Sequence, residues 1–316
     1  MKKINTYSFC LVFLLFTLVK SELSAQQDYQ FTQFNFNKLA LNPAYAGTDN
    51  LISLTGVYRK QWTGIDGAPQ SISFSGHAPV FHERVGFGVL IYDDRIGVDH
   101  QVGLFTTYSY KVPLGGSVLS FGLQAGVLNY KSELTALDPL NSGDIAFSQN
   151  YSAIHPNFGV GLYWYKPKTA FVGISIPRLI ENDLTEVGVI GTSSLYRHSY
   201  LMAGYVFRIS KLFSLRPSAL FKYDGPNVTQ APISSDINLS VLLSEKLWLG
   251  AGYRIGDSFD AMAEFLVTDQ FMLGYSYDFG TSTLSQFHSG AHEVVLRYDF
   301  NFKKDAFVSP RQIKYF

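Results

Sequence analysis

Residues 100–112 read HQVGLFTTYSYKV, and they sort by alternate position. Val102, Leu104, Thr106, Tyr108, Tyr110 and Val112 share one face, while Gln101, Gly103, Phe105, Thr107, Ser109 and Lys111 share the other. Successive side chains of a strand point to opposite sides, so this stretch is a strand with one apolar face and one wetter face. The same two-beat pattern recurs past position 50 with turn residues between the copies, which excludes a helical protein.

Alternation and turn punctuation together give about fourteen strands, at 51–61, 70–80, 84–93, 100–112, 117–130, 157–165, 169–176, 199–209, 213–223, 236–243, 247–255, 259–267, 271–279 and 292–302. Most have about nine to eleven residues, the length of a tilted membrane-crossing strand, whereas sandwich strands average about five to six. Their less greasy face carries Gly, Ser, Thr, Asn and Gln with charges of both signs, among them Lys111, Arg216, Lys222, Asp236, Arg254, Asp260, Glu264, Asp278, Arg297 and Asp299. Such a face suits a lumen, where water or cross-barrel ion pairs satisfy it. In lipid every backbone group must be paired, which demands a closed sheet. The expected fold is therefore all-β: a transmembrane antiparallel barrel of about 14 strands over 51–302, preceded by a short non-barrel segment.

The rest of the chain agrees with export. Residues 1–25 hold Lys2 and Lys3, an apolar run from Phe9 to Val19, and Leu23-Ser24-Ala25, the three regions of a cleavable leader. The apolar run is shorter than the roughly 20 residues of a spanning helix. Cys10, the single cysteine, lies within it, so the mature chain would hold no disulfide or thiolate site. Cleavage takes three lysines and one glutamate and leaves 22 basic against 24 acidic residues, which offers no field for nucleic acid. The longer links, at 62–69, 94–99, 132–156, 177–198, 224–235 and 280–290, mostly alternate with short ones. Outer-membrane barrels keep short turns on the periplasmic side and long loops outside, which sets the expected orientation. Residues 303–316 form a C-terminal tail of unassigned role.

Residues 26–50, QQDYQFTQFNFNKLALNPAYAGTDN, do not alternate. Asn42-Pro43 is a turn or helix-stop pair, and a short helical piece is expected near 36–41. The segment reads equally as a periplasmic lead-in or as a plug. Gln30-Phe31-Thr32-Gln33-Phe34, Asn42-Pro43-Ala44-Tyr45-Ala46-Gly47, Tyr58-Arg59-Lys60-Gln61-Trp62 and Gly67-Ala68-Pro69-Gln70 together resemble the opening of the PorP/SprF proteins of the Bacteroidetes type IX secretion and gliding machinery. Residues 292–300 and Ser309-Pro310-Arg311 look like that family's C-terminal end.

The resemblance implies a non-enzymatic outer-membrane barrel that assists secretion, anchoring or surface display of a partner such as an adhesin. Its partners would be outer-membrane lipid, a secreted surface protein with a type IX C-terminal domain, and other secretion components. The family-motif residues Gln33, Phe34, Asn42, Pro43, Ala44, Tyr45, Gly47, Arg59 and Trp62 become candidates for a plug or partner role. The alternative function is a porin or plugged channel for small or hydrophobic solutes.

No catalytic set, cofactor motif or metal-ligand spacing stands out. The histidines, including His77, His100, His198 and His292, read as residues of strand ends and turns. Asp93-Asp94-Arg95 reads as a solvated turn with local ion pairing. Residues 138–144, DPLNSGD, lack EF-hand spacing. Strand glycines such as Gly86, Gly88, Gly122 and Gly126 are expected to permit curvature and close lumen packing.

Overall fold

The computed structural model describes residues 30–49, 51–80, 83–137, 148–183, 194–195, 197–210, 212–224 and 234–300. The expected leader, the C-terminal tail and the DPLNSGD stretch lie outside the described residues.

Fourteen antiparallel strands close into a barrel. They are β1 (Ile52–Lys60), β2 (Gln70–Val80), β3 (Val85–Ile96), β4 (Asp99–Leu114), β5 (Ser117–Ser132), β6 (Tyr151–Lys166), β7 (Ala170–Ile176), β8 (Ser199–Tyr205, resuming as Phe207–Arg208), β9 (Phe213–Tyr223), β10 (Ser234–Leu243), β11 (Leu247–Arg254), β12 (Ser258–Leu266), β13 (Phe271–Gly280) and β14 (Ala291–Phe300). Each strand pairs with its sequence neighbour, and β1 pairs with β14 in register from Ile52↔Phe300 to Lys60↔His292. Closure leaves no sheet edge in lipid.

The alternation resolves as read. On β4, Leu104, Tyr108 and Tyr110 point outward and stand 47%, 49% and 43% exposed, whereas Thr107, Ser109 and Lys111 point inward and are buried. All ten charged residues assigned to the wetter face are buried inside the barrel. The exterior is thus an apolar band of aliphatic and aromatic side chains. No helix among the described residues is long and apolar enough to cross a membrane.

Three readings are corrected. The expected loop 94–99 is a tight turn at Gly97-Val98, where Gly97 takes a positive φ of 57°, and β3 runs on through Asp93-Asp94-Arg95. Asp94 therefore faces the lumen and accepts from Ser71, while Asp93 on the outward rim pairs with Arg95 at 3.0 Å and His100 at 2.8 Å. His77 is an inward, buried residue of β2 rather than a strand-end one. β6 starts at Tyr151, six residues before the expected start. The carbonyl of Phe158 accepts from Leu179 N, so even-numbered backbone groups here face away from β5. Pro156 falls on that side, and its missing N–H costs the β5 ladder nothing.

The link lengths divide the barrel into two ends. The end at which β1 finishes carries 133–150, 177–198 and 281–290, while the end at which β1 starts carries only links such as 115–116 and 244–246.

Candidate functional site

Residues 31–49 are buried throughout and lie inside the barrel. The segment forms a 3-10 turn Phe34–Phe36, a short helix α1 (Lys38–Leu41) and a second 3-10 turn Pro43–Tyr45. Asn42 caps that second turn by accepting from Ala44 N at 2.9 Å, and Pro43 at its first position has no N–H to leave unpaired. Phe31, Phe34, Phe36, Leu39 and Leu41 pack with inward Leu90, Tyr92, Phe105, Tyr163, Phe171 and Met202. This segment and the inward apolar residues of the wall together form the apolar core of the lumen.

The backbone of the segment approaches the wall closely where the wall lacks side chains. A β-carbon on Gly122 would overlap Ala44 N, one on Gly86 would overlap Ala46 O, and one on Gly161 would overlap Asn42 Oδ1. Asn42 Nδ2 donates to the carbonyls of Leu162 at 2.9 Å and Ile174 at 3.3 Å, and Ser175 Oγ donates to Leu41 O at 2.6 Å. Gly47 turns with a φ of 68° and sits against Gly86, Ala78 and Pro79 backbone, where any side chain would be both strained and crowded.

Two charged clasps hold the ends. At the long-loop end Glu293 accepts the backbone N–H groups of Thr32 at 2.9 Å and Gln33 at 2.8 Å. Arg59 donates to Thr32 Oγ1 at 2.7 Å, to Asp278 at 2.7 Å and to Glu293 at 3.3 Å, and Thr32 Oγ1 donates in turn to Asp278. At the short-turn end Arg297 binds Asp49, and Tyr45 Oη donates to the same carboxylate at 3.0 Å. Gly47 N donates to His77 Nδ1 at 3.2 Å, which leaves the ring proton on Nε2, 3.5 Å from Asp49. Lys111 Nζ donates to Gly47 O.

Between the clasps, two buried cations meet aromatic faces. Lys38 Nζ lies 4.4 Å from the Phe171 ring centre, and the Arg216 guanidinium lies 4.1 Å from that of Trp248 and 5.2 Å from that of Phe36. Above this layer residues 177–180 turn in over the lumen. Gln124 donates to Pro177 O at 3.3 Å, Arg178 to Tyr92 Oη at 3.2 Å, and Asn157 to Ile180 O at 2.8 Å. At the long-loop end His198 donates to Asp224 at 2.6 Å. Burial, with Lys222 nearby, pushes the His198 imidazole down to about 4. Burial opposes ionisation of Asp224, but the His198 hydrogen bond and the Lys222 charge hold its carboxyl below the usual range.

The structure brings together Gln33, Phe34, Asn42, Pro43, Ala44, Tyr45 and Gly47 on the internal segment, and Arg59 reaches it from β1. Trp62 stands apart, in the link after β1, with its ring 6.4 Å from that of His288. Reading the sequence missed Thr32, Asp49, His77, Asp278, Glu293 and Arg297 as members of this site. The inward glycines of β3, β5 and β6 were its visible signal.

The profile of the type IX secretion system membrane protein PorP/SprF family matches residues 23–298. The chain belongs to the PorP/SprF family. No curated protein sequence matches this PorP/SprF chain. Among solved structures it is similar to the outer membrane protein Omp33 of Acinetobacter baumannii, at 8% identity and a TM-score of 0.47 over 79% of this chain and 98% of that one. The monoaromatic hydrocarbon channel CymD follows at 13% and 0.48, over 84% and 93% of the two chains. A Pseudomonas aeruginosa FadL homologue gives 13% and 0.43, over 79% and 89%. At these values the likeness carries no functional argument for a PorP/SprF protein.

Proposed function

We propose that this PorP/SprF protein is a non-enzymatic, plugged outer-membrane barrel of type IX secretion that anchors, exports or displays a dedicated surface protein. The supporting observation is the lumen filled by residues 31–49, clasped at both ends, in a chain of this family. A solute porin needs an open aqueous path, and a side-chain-lined lumen sealed by backbone packed onto glycine does not provide one. What the barrel does offer a partner is a rigid rim of long links at one end.

Residues 31–49 then act as the plug, with Gln33, Phe34, Asn42, Pro43, Ala44, Tyr45, Gly47 and Arg59 seating it, and Trp62 belongs to the rim. The leader directs export, and the partner carries a type IX C-terminal domain. Deletion of the gene is expected to abolish surface display of one such protein, and mild detergent extraction should co-purify it. Normal display of every type IX cargo in the deletion strain would refute the role.

A further inference from the structure

A narrow cleft enters the lumen at the short-turn end, beside the link 244–246 between β10 and β11. Leu242, Trp248, Leu266 and Met272 form its walls, while Glu245 and Lys246 stand exposed at its rim. Glu264 closes the inner end, opposite Trp248 in the β11–β12 register. Trp248 is two strand positions beyond Lys246, so the floor lies roughly 7 Å below the rim. The cavity there measures about 10 Å³, room for a single water-sized group.

Glu264 is 1% exposed, and neither oxygen of its carboxylate has a hydrogen-bond partner. The plug comes close to it over Gly274, its register partner on β13. A β-carbon on Gly274 would overlap Gln33 Oε1 and lie 3.2 Å from Glu264 Cγ. Gln33 Nε2 donates to Ser276 Oγ at 3.4 Å, which leaves Gln33 Oε1 as a third buried acceptor without a donor. Arg216 does not supply one. Its guanidinium lies 4.1 Å from the centre of the Trp248 ring, and none of its nitrogens has a hydrogen-bond partner.

A carboxylate buried without a partner is costly, and a cation that brings donors removes that cost. An ammonium has three donors for the three acceptors, whereas a planar guanidinium is too broad for the space of one water. The apolar walls suit the four-carbon stem that carries a lysine ammonium, at the depth the floor requires. We propose that this cleft is a binding site for a primary alkylammonium group: the lysine side chain of a polypeptide that docks at the short-turn end. Its stem packs on Trp248, Leu266 and Met272, and its ammonium is held by Glu264 and Gln33.

Trp248 reports on the site. The full chain carrying Trp62→Phe and Trp164→Phe keeps Trp248 as its single tryptophan, and its fluorescence is followed in detergent at constant ionic strength. The probes are n-butylammonium, the tripeptide acetyl-Gly-Lys-Gly-amide, n-butanol and butyrate. The expected result is a saturable change with n-butylammonium and with the tripeptide, and binding at least about tenfold weaker for the alcohol and the carboxylate. Glu264→Gln, in a barrel that stays heat-modifiable, should abolish the preference for the ammonium. Equal binding of n-butanol would show an apolar cleft alone and overturn the proposal. Tighter binding of butyrate would make Arg216 the recognising group, with the same consequence. No saturable change with either amine, or an unchanged preference in Glu264→Gln, also refutes it. Binding of n-butylammonium without the tripeptide would assign the cleft to a free amine and overturn the lysine reading. The probe panel decides the case on the parent barrel even where Glu264→Gln does not fold, and it does not depend on which cargo the barrel serves.

Discussion

Asp49, three positions before β1 begins, is bound by Arg297 of β14, 248 positions along the chain. One carboxylate thus ties the foot of the plug to the last strand beside the β1–β14 seam that closes the barrel. Arg297 also donates to Asp299 at 2.9 Å and Ser53 at 3.1 Å, so plug, first strand and last strand share one guanidinium. Breaking one partner of a buried pair costs about 3–5 kcal/mol, because the other charge stays buried. Asp49→Asn is expected to lower the temperature at which the folded barrel loses its anomalous migration on gels. It should also expose residues 42–49 to protease. Arg297→Lys should behave similarly, since a point charge does not reproduce the planar fork.

The glycines beneath the plug make a second, sharper test. Gly122→Val places a side chain against the backbone of Pro43 and Ala44, where no rotamer change gives relief. Gly56→Ala on β1 meets nothing within 4 Å and serves as the control. The Gly122 variant is expected to fold as a barrel with a dislodged plug, seen as stepwise conductance in planar bilayers and sensitivity of cells to large antibiotics. The Gly56 variant should match the parent in both measurements. A silent Gly122→Val barrel would mean that the close packing there does not seat the plug.

The barrel was legible because lipid and lumen impose opposite demands on neighbouring residues, and that conflict is written at period two, as in residues 100–112. The course of residues 31–49 was not legible for the same reason. A segment buried on every side has no face to alternate, so Phe34, Lys38 and Ala44 carry no periodic sign of where they go. Its position is set by complementarity to distant features such as Gly122, Gly161 and Glu293. The glycines were visible as a set on the inward face, but only the fold shows that backbone fills the space above them. Asp93-Asp94 misled because acidic doublets usually mark turns. Here Asp94 has a lumenal hydroxyl partner in Ser71, which lets the strand continue.

His198 and Asp224 give a pH dependence at the long-loop end. The folded state holds His198 down to about 4, below its ordinary value near 6.5, and holds Asp224 below the usual carboxylate range. Both groups bind protons more readily when released, so their contribution is present at neutral pH. It is lost as pH falls, first through the window between about 6.5 and 4 set by His198. Acidification from pH 7 to 4 should therefore lower the protection of backbone amides around 198–204 and 219–224 against hydrogen exchange, after correction for the intrinsic slowing of exchange at lower pH. His198→Gln should flatten that response between pH 6 and 4 while leaving exchange at pH 7 close to the parent.

Removal of the plug should convert the barrel into a pore. Eight strands leave an interior just filled by side chains, whereas sixteen to eighteen leave an aqueous channel, and lumen width grows about linearly with strand number. Fourteen strands lie nearer the second case. Here the width is taken up by residues 31–49 and by the inward turn at 177–180. Deleting 31–46 while keeping Gly47 to Asp49 preserves the Arg297 clasp and the start of β1. The variant is expected to stay heat-modifiable and to conduct in planar bilayers, and the parent protein is expected to pass no steady current. Because Asp236, Asp260, Asp278 and Glu293 line the vacated mouth with Arg59 and Arg254, that current should prefer cations. Charge reversal at the mouth, Asp260→Lys together with Asp278→Lys in the deleted background, should shift the preference toward anions. An equally silent deletion variant would assign the closure to the 177–180 turn instead.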